Sequence, residues 1–249
     1  MDTVSAELTA HWLEGGGEWL LVFLIMMCGA AAQAVIGMGL NLLSIPLLLM
    51  IDPVYAPGPV FVVSCLLCFS ALWRVPAKVD FRELGPALAG LAAGTVVAAG
   101  IISAVDGARF TQLLALFVLI GVGLALTGWS APLSRRTLLI AGGGAGVLGT
   151  IAGVHGPPIA LLYQGQAAER VRGALLMFIG IGNGLAFATL ALLGQFGWPH
   201  AQATLVLLPG VCAGLLLAPL VASLLPAALL RILILAISGI SGGLLVMRG

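Results

Sequence analysis

Two short stretches of sequence decide the fold: GMGLN at residues 37–41 and GVHGPP at residues 153–158. They interrupt the apolar regions 19–51 and 137–167 with residues that do not continue a helix. Glycine allows left-handed turns, and proline fits a helix best in its first turn. We therefore predict two broken helices. Most of the pieces on either side of the breaks are too short to cross a bilayer alone. The four pieces are 19–36, 42–51, 137–152 and 159–167.

The composition around these breaks is that of an integral membrane protein. The 249 residues are 61% hydrophobic and 8% charged, whereas a soluble domain has roughly 25% charged residues. The apolar runs are continuous rather than alternating, which predicts helices and not a transmembrane β-barrel. Six runs have the length of a full span: 57–73, 84–105, 110–128, 173–193, 201–222 and 229–247. The fold class is therefore predicted to be an all-α integral membrane protein, with the lipid bilayer as its surroundings. A net charge of +1 excludes a nucleic-acid binder.

The order of break and spans repeats along the chain with an offset of 116 residues, which maps Gly37 onto Gly153. Each unit is predicted to contain one broken-helix hairpin followed by three transmembrane helices. Since three crossings are an odd number, the two units would be inverted repeats, an arrangement typical of transporters. The predicted divisions are an acidic N-terminal segment 1–18 outside the cytoplasm, repeat 1 at 19–128, a cytoplasmic linker 129–136 and repeat 2 at 137–249.

The distribution of basic residues favours hairpins over single broken spans. If both interrupted regions return to the side from which they came, eight of the ten Lys and Arg residues share one side of the membrane. Only Arg109 and Arg248 then lie on the other side. Because basic loops face the cytoplasm, this predicts that the eight basic residues are cytoplasmic and that the N-terminus is external.

The breaks are the predicted substrate site. A half-helix N-terminus presents free N–H donors and a partial positive charge, which suit an anion. Polar side chains near the breaks, above all His155, are the other candidates, although each could instead satisfy a broken-helix carbonyl group. Gln33, Tyr163 and Gln164 are weaker candidates because their positions are near the ends of the hairpins. The predicted substrate-binding residues are Gly37, Gly39, Asn41, Ser44, His155, Gly156, Pro157, Pro158 and Asn183.

Catalytic, metal and cofactor sites are not predicted. Every acidic residue falls at a span edge or in a loop, and no Ser/His/Asp set or metal-binding motif can be assembled. Cys65 and Cys68 form a C-x-x-C pattern on an apolar helix, for which we predict a packing role. The glycine-rich run 142–146 lacks the Lys-Ser/Thr of a nucleotide loop, so close helix packing explains it better.

The motifs resemble those of a known family. Gly37-x-Gly39 followed by Pro46, and Gly153-x-x-Gly156-Pro157 followed by Arg170-x-Arg172-Gly173, are similar to the two halves of the TauE/SafE sulfite exporters, also called toluene sulfonate uptake permeases. The resemblance covers about residues 19–247. It implies a bacterial inner-membrane carrier of sulfite, sulfonates, thiosulfate or related organic anions. Leu40 and Asn41 stand where the family is usually richer in glycine, and His155 replaces a common glycine.

We expect a transporter of a small anion, most simply an exporter of a sulfur-containing one. Each charge moved through 100 mV is worth about 2.3 kcal/mol, so a dianion leaving an inside-negative cell gains about twice that without a coupling ion. The alternatives are a proton-coupled importer of an organic carboxylate or sulfonate, an anion channel, and a membrane enzyme or assembly partner. The oligomeric state stays open.

Overall fold

The structure, a computed structural model, describes residues 16–73, 79–105, 107–128 and 131–248. Most of the predicted acidic segment 1–18 therefore lies outside the described residues, as do Arg74, Lys78 and Asp106. The described residues contain α-helices and one 3₁₀ helix, Pro53–Tyr55, and no strand. The helices are α1 Gly16–Ile36, α2 Leu40–Ile51, α3 Gly58–Trp73, α4 Phe81–Ser103, α5 Gly107–Leu126, α6 Arg135–Ala152, α7 Gly156–Leu162, α8 Ala168–Leu192, α9 Trp198–Leu224 and α10 Ala227–Arg248.

The all-α membrane fold is confirmed. Seven helices in the described part of the chain are long and apolar enough to cross a bilayer. Six of them are the predicted full spans. The seventh is α1, which at 21 residues is longer than the predicted piece 19–36 and long enough to cross by its length alone. Large apolar side chains such as Val96, Leu205 and Leu216 are more than 60% exposed, as expected for surfaces that face lipid.

Both breaks fall where they were predicted, but the half-helices that follow them begin earlier. Helix α2 starts at Leu40 instead of residue 42, and α7 starts at Gly156 instead of residue 159. Helix α7 also ends at Leu162, before the predicted 167. The two starts are 116 residues apart, so the predicted offset holds at the level of helix boundaries.

The first interrupted region is a hairpin. Gln33 contacts the start of α2 through Leu40, and Gly29 lies against Ser44 one turn further along α2. The two helices therefore run antiparallel. Tyr55, just beyond α2, lies next to the Glu18 carboxylate near the start of α1. The chain thus returns to the end of the molecule where α1 began.

The second interrupted region also returns to its starting end. Helices α4 and α6 run parallel, because Gly90 contacts Leu139 and Gly94 contacts Gly146. The start of α4 is also joined to the end of α7, since the Tyr163 hydroxyl group donates to Glu83 Oε1 at 2.7 Å. Helices α4, α6 and α8 therefore begin, and α7 ends, at one end of the molecule, which we call the basic end because it carries Arg82, Arg135, Arg136, Arg170 and Arg172.

The two halves pack against each other reciprocally. The most extensive helix pairings join α4 with α6 and α9 with α1, so the fourth helix of each half lies on the first helix of the other. Helix α3 packs on α8, and α5 packs on α10. This exchange is what two equivalent repeats would give, while their relation by inversion stays a prediction.

Glycines set the closest of these contacts. A Cβ atom on Gly94 would lie 2.1 Å from the Gly143 carbonyl oxygen, and one on Gly142 would lie 2.1 Å from that of Ala87. Gly214 meets the Met27 carbonyl oxygen in the same way, at 2.3 Å, in the pairing of α9 with α1. Small residues let membrane helices approach at backbone distance, so the packing role predicted for the run 142–146 is confirmed.

Candidate functional site

The two breaks lie against each other at the centre of the molecule. A Cβ atom on Gly153 would lie 2.8 Å from Asn41 Cβ, and one on Gly156 would lie 3.0 Å from Met38 Cβ. Residues that are more than a hundred positions apart in sequence therefore form one site, built from the turn of each hairpin and the first turn of each half-helix.

Left-handed backbone conformations explain the glycines at these turns. Gly37, Gly39 and Gly153 have φ values of 85°, 130° and 73°, which residues with a Cβ atom adopt at a cost. Gly153 ends α6 as a left-handed cap. Gly37 has a second constraint, because its Cα lies against the backbone of Arg172 on α8.

A buried chain of hydrogen bonds connects the breaks. Asn41 Nδ2 donates to Asn183 Oδ1 at 2.7 Å and to the Gly153 carbonyl oxygen at 3.3 Å. Asn183 Nδ2 in turn donates to Ser64 Oγ at 2.8 Å. All three side chains are at most 3% exposed. This chain of hydrogen bonds links α2, α3, α8 and the second break. Its members are buried polar groups, and leaving any of them without a hydrogen-bond partner would cost free energy.

Gln33 extends this network and holds the start of α2. Its Oε1 accepts from the Leu40 backbone N–H at 2.9 Å, which satisfies one of the donors that a helix start leaves free. Its Nε2 donates to Ser64 Oγ at 3.1 Å and to Cys68 Sγ at 2.9 Å. This cap from another helix explains why α2 begins two residues earlier than the local sequence predicts.

His155 is enclosed by glycines. A Cβ atom on Gly149 or Gly182 would lie 2.1 Å or 2.5 Å from the imidazole Cδ2, so only glycine leaves room for the ring on both sides. The Phe61 ring packs edge-on, with its centroid 6.4 Å away. His155 is fully buried, and neither ring nitrogen has a hydrogen-bond partner of standard geometry among the described residues. The Asn41 Oδ1 and Ser44 Oγ atoms are likewise without such a partner in the described chain.

A small cavity of about 20 Å³ lies between the breaks. This is room for about one water molecule. The central site is therefore closed in this conformation, and a polyatomic anion would have to move the breaks apart. The walls of the cavity are Gln33, Met38, Gly39, Asn41, Leu42, Gly153, Val154, Gly156, Pro157 and Ile179.

The predicted site residues fall into three groups by position. Gly39, Asn41, Gly156 and Pro157 line the cavity. Asn183 reaches it through its hydrogen bond to Asn41. The others are buried next to it but do not line it: Gly37, Ser44, His155 and Pro158.

Sequence reasoning gave too little weight to several members of the site. Gln33 stood among the weaker candidates, yet it lines the cavity and bonds three groups. Its signal was a lone amide in an apolar helix, close to the break. Ser64 lies in the middle of a span and carries no local signal, and the sequence identifies Met38 only as part of the first break.

Other sequence features have structural roles. The four cysteines are free, and Cys68 is a buried acceptor for Gln33. Asp52 accepts from the Val54 backbone N–H at 2.8 Å, so it stabilises the turn that follows α2. The described residues hold no cluster of three or more His, Cys, Asp or Glu side chains suited to a metal ion.

An ion-pair cluster closes the basic end of the second hairpin. Arg170 forms a salt bridge with Glu83, which also accepts the hydrogen bond from Tyr163. Burial and the Glu83 carboxylate raise the pKa of the Tyr163 phenol above its usual range, so it stays a donor. The cluster ties α4, α7 and α8 together.

Comparison with known proteins assigns a family to this architecture. Residues 21–245 match the family described as sulfite exporter TauE/SafE. No curated protein and no solved structure matches the chain. The family consists of membrane transporters and not enzymes, as the sequence predicted. The match extends over nearly the whole chain and includes both breaks, and the chain therefore belongs to the sulfite exporter TauE/SafE family.

Proposed function

We propose that this transporter exports a small sulfur-containing anion, such as sulfite, a sulfonate or thiosulfate, across the bacterial inner membrane. The observation that carries the proposal is the hydrogen-bonded contact of the two helix breaks through Asn41, Gly153 and Asn183. Interrupted helices that meet at the centre of a membrane protein are typical of carrier binding sites.

The chemistry of the breaks suits an anion with several acceptor oxygens. The start of α2 supplies backbone N–H groups beyond the one that Gln33 satisfies. In α7, Pro157 and Pro158 have no N–H group, so Gly156 is the main backbone donor there. Asn41 Nδ2 donates one of its hydrogen bonds to the Gly153 carbonyl oxygen, at the long distance of 3.3 Å. An anion offers a stronger acceptor and would replace that long bond.

The closed cavity supports a carrier over a channel. A space of about 20 Å³ between the two breaks fits a site that opens to one side at a time, whereas a channel needs a continuous pore. The membrane potential favours outward movement of an anion, and no carboxylate among the described residues lines the cavity. Export without a coupling ion is therefore the simplest mechanism, and proton-coupled import is the alternative that His155 would serve.

The helix ends support the proposed orientation. We place the basic end in the cytoplasm and the end with Glu18 and Asp52 outside. Repeat 1 (19–128) and repeat 2 (137–249) would then enter from opposite sides, with 129–136 as a cytoplasmic linker. Reciprocal packing of α4 on α6 and of α9 on α1 supports an inverted pair.

Thermal unfolding of the purified protein with sulfite, thiosulfate, sulfoacetate, taurine and simple carboxylates tests the proposal. We expect one anion class to raise the unfolding midpoint saturably, by about 5 °C or more at a hundred times its Kd. Asn41→Ala and His155→Ala should lose this shift. Thr150→Val is the matched control, because Thr150 is also buried and hydrogen-bonded, to Thr95 at 3.1 Å, but lies outside the cavity.

Stabilisation by none of the anions, or an equal shift in the Asn41→Ala variant, would place the site elsewhere. Counterflow in proteoliposomes then separates carrier from channel: internal unlabelled sulfite should accelerate uptake of labelled sulfite. Flux without counterflow would favour the channel.

A further inference from the structure

A cavity of about 350 Å³ at the basic end leads toward the central site. Its mouth is formed by exposed residues from the end of α7 and the start of α10, among them Gln164 and Ala227. Arg231 supplies a positive charge to its wall. We call this space the vestibule. Its size suits an organic anion with some hydration water, in contrast to the central cavity of about 20 Å³.

Met38 is the one residue that belongs to the walls of both the vestibule and the central cavity. Its side chain crosses from the first break to the second, where a Cβ atom on Gly156 would lie 3.1 Å from the Met38 sulfur. Methionine is unbranched and has three rotatable bonds, so it can swing aside without movement of the backbone. At the corresponding place in the second half stands Val154, which is shorter, 1% exposed and packed on Gly121.

A second cavity at the same end does not continue inward. It has a volume of about 280 Å³ and contains Arg172, but it shares no wall residue with the central cavity. Of these two cavities, the vestibule is therefore the one that adjoins the central site.

We propose that the vestibule is the cytoplasmic access site for the anion, that Arg231 attracts the anion into it, and that the Met38 side chain is the gate to the central cavity. The proposal rests on the proposed function for the identity of the anion. Arg231 is anchored by donation from Nη2 to the Ala125 carbonyl oxygen at 2.9 Å, so its charge is held at the vestibule wall while its other N–H groups can meet an anion. The Met38 side chain is shared by the walls of this charged space and of the cavity between the breaks.

Thiol labelling tests the gate without any need for transport. Leu42 lines the central cavity and is 5% exposed. A Leu42→Cys variant is made in a background that carries Cys28→Ala, Cys65→Ala, Cys68→Ser and Cys212→Ala. Sealed inside-out vesicles are treated with methanethiosulfonate ethylsulfonate, an anionic sulfonate reagent, and with a neutral methanethiosulfonate of similar size.

With Met38 present we expect slow labelling, since only a minor open population admits the reagent. Adding Met38→Ala should accelerate labelling about tenfold or more. Met26→Ala, which truncates a methionine that is also buried but lines neither cavity, should not. If Met38→Ala does not reach the membrane, Met38→Val gives a smaller truncation with the same expected direction. An unchanged rate in a folded Met38 variant whose thiol reacts fully after denaturation would overturn the gate.

Arg231→Gln should slow labelling by the anionic reagent about threefold or more and leave the neutral reagent unaffected. Arg172→Gln is the matched control, and we expect no change. If Arg172→Gln slows the anionic reagent instead, or if Arg231→Gln slows both reagents equally, the assigned path is wrong. Because labelling needs no substrate, a failure of sulfite to bind would leave these results standing and would count against the proposed substrate alone.

Discussion

His155 and its neighbours show how the centre of the protein depends on the size of single residues. The imidazole ring occupies space that Gly149 and Gly182 leave free, and its nitrogens have no partner of standard geometry in the described chain. In the first half, Gln33 stands at the position corresponding to Gly149 and caps α2. The position that carries a capping amide in the first half therefore carries a glycine in the second, where the His155 ring lies in the space that this glycine leaves free.

At this scale we predict that Gly182→Ala disrupts the site while Gly184→Ala does not. The new Cβ atom would lie 2.5 Å from the His155 ring at position 182, but 3.8 Å from Cys65 Sγ at position 184, an ordinary contact. Overpacking of this kind costs about 1–3 kcal/mol. Gly182→Ala should therefore lower the unfolding midpoint and weaken anion-induced stabilisation.

The two variants flank Asn183 on one helix, so the gain in helix propensity from alanine is the same in both and does not distinguish them. If Gly182→Ala and Gly184→Ala changed stability and anion response equally, the close contact of position 182 with the His155 ring would not limit the size of the residue there.

At the scale of helices, the glycine contacts between α4 and α6 hold the halves together. Backbone atoms meet at Gly90, Gly94, Gly142 and Gly146, and the pairing of α1 with α9 uses Gly210 and Gly214 in the same way. Within a bilayer the hydrophobic effect does not drive helices together, so such close packing provides much of their attraction.

We predict that Gly94→Ala destabilises the protein and that Gly100→Ala, on the same helix, does not. A Cβ atom at position 94 would lie 2.1 Å from the Gly143 carbonyl oxygen, whereas none of the described atoms comes within 4 Å of one at position 100. Alanine is otherwise the better helix former, so Gly100→Ala should be neutral or stabilising. Thermal unfolding in detergent measures both, and tolerance of Gly94→Ala would contradict the close packing.

At the scale of the whole molecule, the ends of the helices determine what each side of the membrane presents. Gln164 and Gln195 are both exposed, at the basic end and near the start of α9 respectively. Phe196, next to Gln195, packs against Gly58 at the start of α3. The two glutamines therefore mark opposite ends.

We predict that a membrane-impermeant maleimide labels a Gln195→Cys variant in intact cells, and labels a Gln164→Cys variant only after the membrane is opened. The native cysteines are replaced in both, and detergent-solubilised protein shows that each thiol can react. The reverse pattern would invert the proposed orientation, and labelling of both in intact cells would contradict the crossing of α8 between the two positions.

The sequence predicts the membrane fold, the places of the breaks and the offset of the halves, because glycine, proline and long apolar runs act locally. It predicts less about the site. Leu40 begins a helix because Gln33 caps it from a neighbouring helix, and Ser64 joins the site through partners in α1 and α8. Such partners depend on tertiary packing, which no local pattern encodes. The closed state of the cavity likewise follows only from the contact of the two breaks.

The reciprocal packing of the halves has a consequence for biosynthesis. When the first hairpin leaves the ribosome, Asn41 has no partner, because Asn183 is translated 142 residues later. At about 5–20 residues per second, that delay is on the order of ten seconds. The delay is longer still for α1, because its packing partner α9 is translated after Asn183. The nascent chain must therefore tolerate an incomplete polar hairpin beside the insertion machinery, and a polypeptide terminated after its first half would display that hairpin to cellular quality control.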